Sequence, residues 1–214
     1  MSVDSNRRSL IKKGAVALLA ITIVLLLSYR IHYVNTAAIA LPGVEKYAMN
    51  EWVDLDGAFL NIVTENTQGY SVRVTKAELL SYNEYIEKYG LDKSKKMEGL
   101  DEPSLVCLEI EVRNVGNKDG IIHIFECKMI PDRKNTYFIP STALWAESES
   151  ALPKDGSVRI LSIKNDSEYI VHIPYKVNIK DEVNHTEYKH PMKDTSFELV
   201  VSNSPVRKVI VIKL

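Results

Sequence analysis

The sequence predicts an all-β body, an antiparallel sandwich with one short helical insert, carried behind a single N-terminal transmembrane helix. Three observations predict it. Residues 14–29 (GAVALLAITIVLLLSY) form an uncharged run between Arg7, Arg8, Lys12 and Lys13 on one side and Arg30 on the other. From residue 58 to residue 214, short runs alternate apolar and polar residues with a period of two, the pattern of strands buried on one face. Gly, Pro, Asn and Asp separate almost every pair of runs, a spacing that suits a sandwich.

The uncharged run covers roughly 24 Å of a hydrocarbon core about 30 Å thick, at about 1.5 Å per helical residue. Lys12, Lys13 and Arg30 can reach the interfaces on their apolar stems, and Leu10, Ile11, Ile31, Tyr33 and Val34 lengthen the apolar surface. One span over residues 14–34 follows, with a short tail at 1–13. Four basic residues against Asp4 give that tail a net charge of +3, and subtracting this and Arg30 from the total of −1 leaves −5 for residues 31–214. The basic flank stays in the cytoplasm, so the protein sits in the cell membrane as a single-pass chain, its body extracytoplasmic. A cleaved signal peptide is the rival reading, but Arg30 and His32 lie between the apolar run and the small residues Ala37, Ala38 and Ala40.

Residues 35–57 read as a juxtamembrane connector, since Pro42-Gly43 stops a continuous helix. The body is then one domain, 58–214. A strand is expected over 58–66, a turn at 66–69, and a second strand over 70–82 with a slip of phase near Lys76 or Ala77 that suits a bulge. Asn83, Glu84 and Gly90 mark a two-turn helix over 83–90, followed by an exposed charged loop over 92–103. Further strands are expected at 104–114, 121–130, 136–140, 157–163, 168–177, 196–202 and 206–214, with turns at 115–120 and Asn165-Asp166 and a polar loop over 178–195.

Lys and Arg are scattered among acids without a basic stripe, which argues against nucleic acid as a partner. Of five histidines, His185 and His190 share a polar loop with Glu187 and Asp194, yet their spacing follows no metal-ligand grammar, and His123 and His172 fall within expected strands on outer faces. No Gly-x-Ser-x-Gly elbow and no phosphate-binding glycine loop is present. No catalytic, cofactor-binding or metal-binding residue is assigned, no cofactor is expected, and the chain reads as not an enzyme. Cys107 falls on the polar face of its strand and Cys127 on the apolar face of the next; a disulfide between them and two free buried thiols both stay open. Tyr82, Tyr85, Ile86 and Tyr89 share one face of the short helix. With Trp145 the tyrosines would form an aromatic platform for a peptide, glycan or protein; the competing reading is that they pack the helix onto an open end of the sandwich.

The succession VCLEIEVRN, the strand over 121–130, LPKDGSVRILSI, EYIVHIPYKV and RKVIVIKL resembles the immunoglobulin-like extracytoplasmic domains, of unassigned function, that Gram-positive bacteria carry on an N-terminal membrane anchor. The resemblance spans residues 58–214, and YSVRVTKAELLSYNEYIEKYG is similar to a subgroup bearing a tyrosine-containing insert. Pro153-Lys-Asp-Gly156 stands where the family has a shorter Pro-Gly turn. The resemblance implies an immunoglobulin-like sandwich and carries over no site residue. Two functions follow: a non-enzymatic binding module at the cell envelope, with an envelope protein, peptide or glycan as partner, or a metal- or ligand-dependent sensor or hydrolase using the loop from His185 to Asp194.

Overall fold

The structure is a computed structural model that describes residues 3–37, 43–61, 64–131, 137–150, 152, 161–177, 180–181, 186–187 and 196–214. It divides into two units, residues 1–41 and 42–214.

The first unit is one helix, α1 (Val3–Ala37). Its segment Lys13–Asn35 is 23 residues long, with mean hydropathy 2.1, and none of it is buried in the protein. That length spans a bilayer with room for tilt. Tyr29 and Tyr33 stack with ring centroids 6.4 Å apart, and Arg30 lies between them, an end composition that suits a membrane interface.

The second unit contains two four-stranded sheets. One is ordered β2–β3–β4–β6, from β2 (Val53–Asp54), β3 (Tyr70–Leu80), β4 (Leu105–Asn114) and β6 (Ser167–Lys176), all antiparallel. The other is ordered β1–β10–β9–β5, from β1 (Val44–Ala48), β10 (Arg207–Lys213), β9 (Ser196–Ser202) and β5 (Met129–Pro131); its β1 runs parallel to β10. A two-stranded ribbon, β7 (Lys180–Asp181) and β8 (Thr186–Glu187), completes the described strands. Two short helices, α2 (Tyr82–Tyr89) and α3 (Thr142–Trp145), make the fold mixed, dominated by the sheets.

Period-two alternation explains the core. Val106, Leu108, Ile110 and Val112 point inward from β4, opposite Val72 and Val74 on one side and Val171, Ile173 and Tyr175 on the other. Phe197, Leu199, Ile210 and Ile212 belong to the same buried cluster, so the two sheets pack face to face through one hydrophobic layer. Lys208 links them at one end, donating from Nζ to the Asp54 carbonyl at 2.5 Å. In β3 the register shifts between Val74 and Lys76, within a residue or two of the expected slip. The extra residue, Thr75, uses its hydroxyl to hold Glu109 Oε1 at 2.6 Å.

Several local expectations change. The stretch read as a connector, 35–57, contains β1 and β2, and both pair with strands far along the chain. Among the described residues of 58–66, which exclude 62 and 63, one bridge, Phe59 to Ser204, stands in place of the expected strand. There Glu65 is buried, and its carboxylate accepts from the N–H groups of Leu60 and His123, both at 2.9 Å. The expected strand 121–130 is broken by a 3-10 turn, Ile124–Glu126. Ile122, His123, Ile124 and Phe125 are all buried, and a strand cannot send four consecutive side chains to one side, whereas a tight turn can. Of the expected strands 136–140 and 157–163, residues 136 and 157–160 lie outside the described residues; Phe138 bridges Met129, Pro140 bridges Tyr175 and Leu161 bridges Ile122. Helix α3 went unread in the sequence.

Candidate functional site

Register places the outward residues of the β2–β3–β4–β6 sheet in rows. Ser71, Arg113 and Glu168 form one; Arg73, Glu111 and Ile170 the next; then Lys76, Glu109 and His172; then Glu78, Cys107 and Pro174. Helix α2 covers one half of this face and leaves the other open.

The covered half starts with a capping box. Ser81 Oγ accepts from Glu84 N–H (3.1 Å) and Glu84 Oε2 accepts from Ser81 N–H (2.7 Å), so Ser81, and not Asn83, is the cap. At the other end Gly90 donates its N–H to the Ile86 carbonyl (2.9 Å). Its φ of −58° is ordinary; glycine is required because a Cβ there would stand 2.6 Å from that same oxygen. Tyr85, Ile86, Leu105, Cys107 and Leu144 form a second buried cluster beneath the helix. Tyr85 is fully buried, its hydroxyl within 2.6 Å of Ser148 Oγ and donating to the His172 carbonyl at 3.2 Å. Burial drives its ionisation well above the usual tyrosine range.

The structure therefore separates the residues expected to form a platform. Tyr85 packs under α2, and Trp145 lies in the main core with its ring 4.4 Å from Phe125. Tyr82 and Tyr89 stay partly exposed. The helix lies on the outer face of a sheet, not across an open end of the sandwich.

Tyr89 also organises the charges at the helix margin. Its ring stacks on His172 with centroids 4.3 Å apart, and its hydroxyl donates to Glu78 Oε2 at 2.7 Å. His172 Nε2 lies 3.2 Å from Glu109 Oε2. Burial alone would raise the Glu78 carboxyl, yet hydrogen bonds from Lys88, Tyr89 and Lys76 outweigh it and hold that group down at about 2. Glu109 is held below the usual carboxylate range first by the Thr75 hydroxyl and, against burial, by His172.

The open half is an ionic lattice around an indole. Arg73 Nε donates to Glu111 Oε2 (2.6 Å) and Arg113 Nε to Glu168 Oε1 (2.6 Å). Both guanidinium carbons lie over the Trp52 ring, at 4.4 and 3.9 Å from its centroid. Beside them Ile170 is 48% exposed. Trp52, Arg73, Arg113 and Ile170 went unassigned in the sequence. The readable signal was the outward phase of Arg73 and Arg113, while Trp52 fell in the supposed connector.

The cysteines are both free and buried. Cys107 lies under α2 on the outer face of its sheet and Cys127 in the layer between the sheets, so the body of the β4 sheet separates them. Strand β4 pairs with β3 and β6, and the hairpin that would oppose the two thiols does not form. Burial pushes Cys107 up to about 12 and Cys127 higher still. His172 lies on an outer face as expected. His123 does not: it is buried before the 3-10 turn, with no hydrogen-bond partner among the described residues at either ring nitrogen. His185, His190 and Asp194 lie outside the described residues; among the described ones no group of three or more His, Cys, Asp or Glu could hold a metal ion.

A family described as a domain of unknown function (DUF5028) matches residues 44–208. No curated protein matches the chain. Among solved structures, the crystal structure of an uncharacterized beta-sandwich protein from Clostridium difficile 630 is similar at 8% identity, covering 80% of this chain and 96% of that one with a TM-score of 0.39.

Proposed function

The chain belongs to the DUF5028 family of unknown function, and from that premise we propose that it is a membrane-anchored, non-enzymatic interaction module whose β body faces the extracytoplasmic side of the cell envelope. The basic tail before the apolar helix supports this orientation. The two packed four-stranded sheets support reading the body as immunoglobulin-like, of the kind displayed by Gram-positive bacteria.

The observation that carries the reading is the open half of the β2–β3–β4–β6 face. Ile170 stands exposed in a lattice of charges already paired with one another, beside an indole held under two guanidinium groups. Ordered long side chains have little conformational entropy left to lose, and an aliphatic and an aromatic group within a polar rim is the composition of a protein-binding surface. A photo-crosslinking amino acid placed at position 170 of the full chain in its native membrane is expected to give a discrete adduct. The same group at Lys118, in an exposed turn, is expected to give none. No adduct at 170, or the same pattern from both positions, would sink the reading.

A further inference from the structure

Strand β1 is the edge of its sheet, and its pairing fixes which backbone groups are committed. Arg207 N–H donates to the Gly43 carbonyl at 2.9 Å, and the parallel register sets Val44 beside Arg207, Lys46 beside Val209 and Ala48 beside Val211. In a parallel ladder alternate residues turn their polar groups to opposite sides, so residues 43, 45 and 47 serve β10 while Val44, Lys46 and Ala48 point outward. Ala48 confirms the phase: its N–H donates to Glu51 Oε2 (2.7 Å) and its carbonyl accepts from Glu51 N–H (3.3 Å). Among the described residues, nothing bonds the outward N–H and C=O of Val44 or Lys46.

A groove of about 420 Å³ lies at the C-terminal end of β1 and the adjoining part of β10, lined by Lys46, Tyr47, Ala48, Met49, Val211 and Lys213. Lys46 is paired with Glu198 at 2.5 Å. Lys213 is exposed at the end of β10 and makes no ion pair with a carboxylate among the described residues. The outer edge of β1 offers main-chain donors and acceptors, and the groove beside its end an apolar floor and a lysine, Lys213, with no carboxylate partner among the described residues.

The geometry points to strand addition: an extended segment of a partner polypeptide, alternating aliphatic and acidic residues, pairs with the outer edge of β1 and sets a carboxylate against Lys213. Val44 and Lys46 supply the main-chain bonds, and Ala48, Met49 and Val211 receive the aliphatic side chains. A second copy of this chain fits worse. Two β1 edges paired antiparallel about a two-fold axis bring Lys46 onto Lys46 or, in the neighbouring register, Glu45 onto Glu45, and like charges directly opposite repel. The surface is distinct from the one around Ile170, so either can fail alone.

The test is fluorescence anisotropy with the full chain in detergent micelles and a short labelled peptide of alternating Glu and Val. Saturable binding is expected, with no binding of an alternating Lys and Val peptide. Lys213→Glu, on an exposed side chain, is expected to weaken binding by about tenfold. Lys46→Pro is expected to remove it, since the lost N–H faces away from β10 and an edge strand tolerates proline there. No binding to the wild type, equal binding of the two peptides, or unchanged binding by Lys213→Glu would overturn the proposal. So would a dimer of the chain that Lys46→Pro dissolves.

Discussion

Tyr89 shows how one side chain serves packing and electrostatics together. Its ring covers His172 and its hydroxyl reaches Glu78, which also holds Lys88 and Lys76. Because the folded carboxyl of Glu78 titrates at about 2, below its ordinary 4.5, folding favours its ionised form. That contribution is complete above pH 4.5 and is lost as pH falls from there through the folded value. Its size is on the order of 1 kcal/mol, because the group is part-solvated and screened. Glu78→Gln is therefore expected to destabilise the protein at pH 7, and the difference from wild type is expected to shrink as pH falls from 4.5 and to close only below about pH 2, as read by urea midpoints across that range. A constant difference at every pH would place the effect in packing instead. Tyr85 and Trp145 teach a separate lesson: helical spacing and size mark an aromatic residue as important, but a platform and a core anchor use the same residues, and only the depth of burial separates them.

Helix α2 has eight residues, too few to persist alone in water, so its termini and its buried face together hold it. Removing the Ser81 hydroxyl by Ser81→Ala is expected to cost about 1 kcal/mol. Gly90→Ala is expected to cost more, since the added methyl must displace the Ile86 carbonyl that closes the helix. Amide hydrogen exchange should show both losses in α2 and in the cover over Cys107, with the protection of β9 and β10 unchanged. If Gly90→Ala leaves the α2 amides as protected as in wild type, the close approach does not decide the end of this helix. Strands β3, β4, β6, β9 and β10 were legible because each is a run of seven or more residues rich in β-branched and aliphatic side chains. Strands β1 and β2 are short, and what makes them strands is pairing with partners more than a hundred residues away in β10 and about twenty away in β3.

In the whole molecule, β1 and β2 join the two sheets ahead of residue 58, where the body was expected to start. A chain of residues 43–214 is expected to fold in water with a cooperative thermal transition. One of residues 58–214 should lack it, having lost β1 from beside β10 and β2 from beside β3, together with the buried Val53 and Leu55. Circular dichroism melts of the two would check this, and equal transitions would show both short strands to be dispensable. The sequence by itself determined the apolar span, its basic flank, the long strands with their inward faces, and the short helix with its tyrosines, because each rests on periodicity or charge within a few turns of chain. Only the tertiary structure decided the rest: the parallel β1, the bridge of Phe59 to Ser204, the 3-10 turn at 124–126, the separation of the two thiols and the assembly of Trp52 with Arg73 and Arg113. Those outcomes depend on which distant segments become neighbours, and local patterning leaves that free until two sheets compete to bury the same layer of side chains.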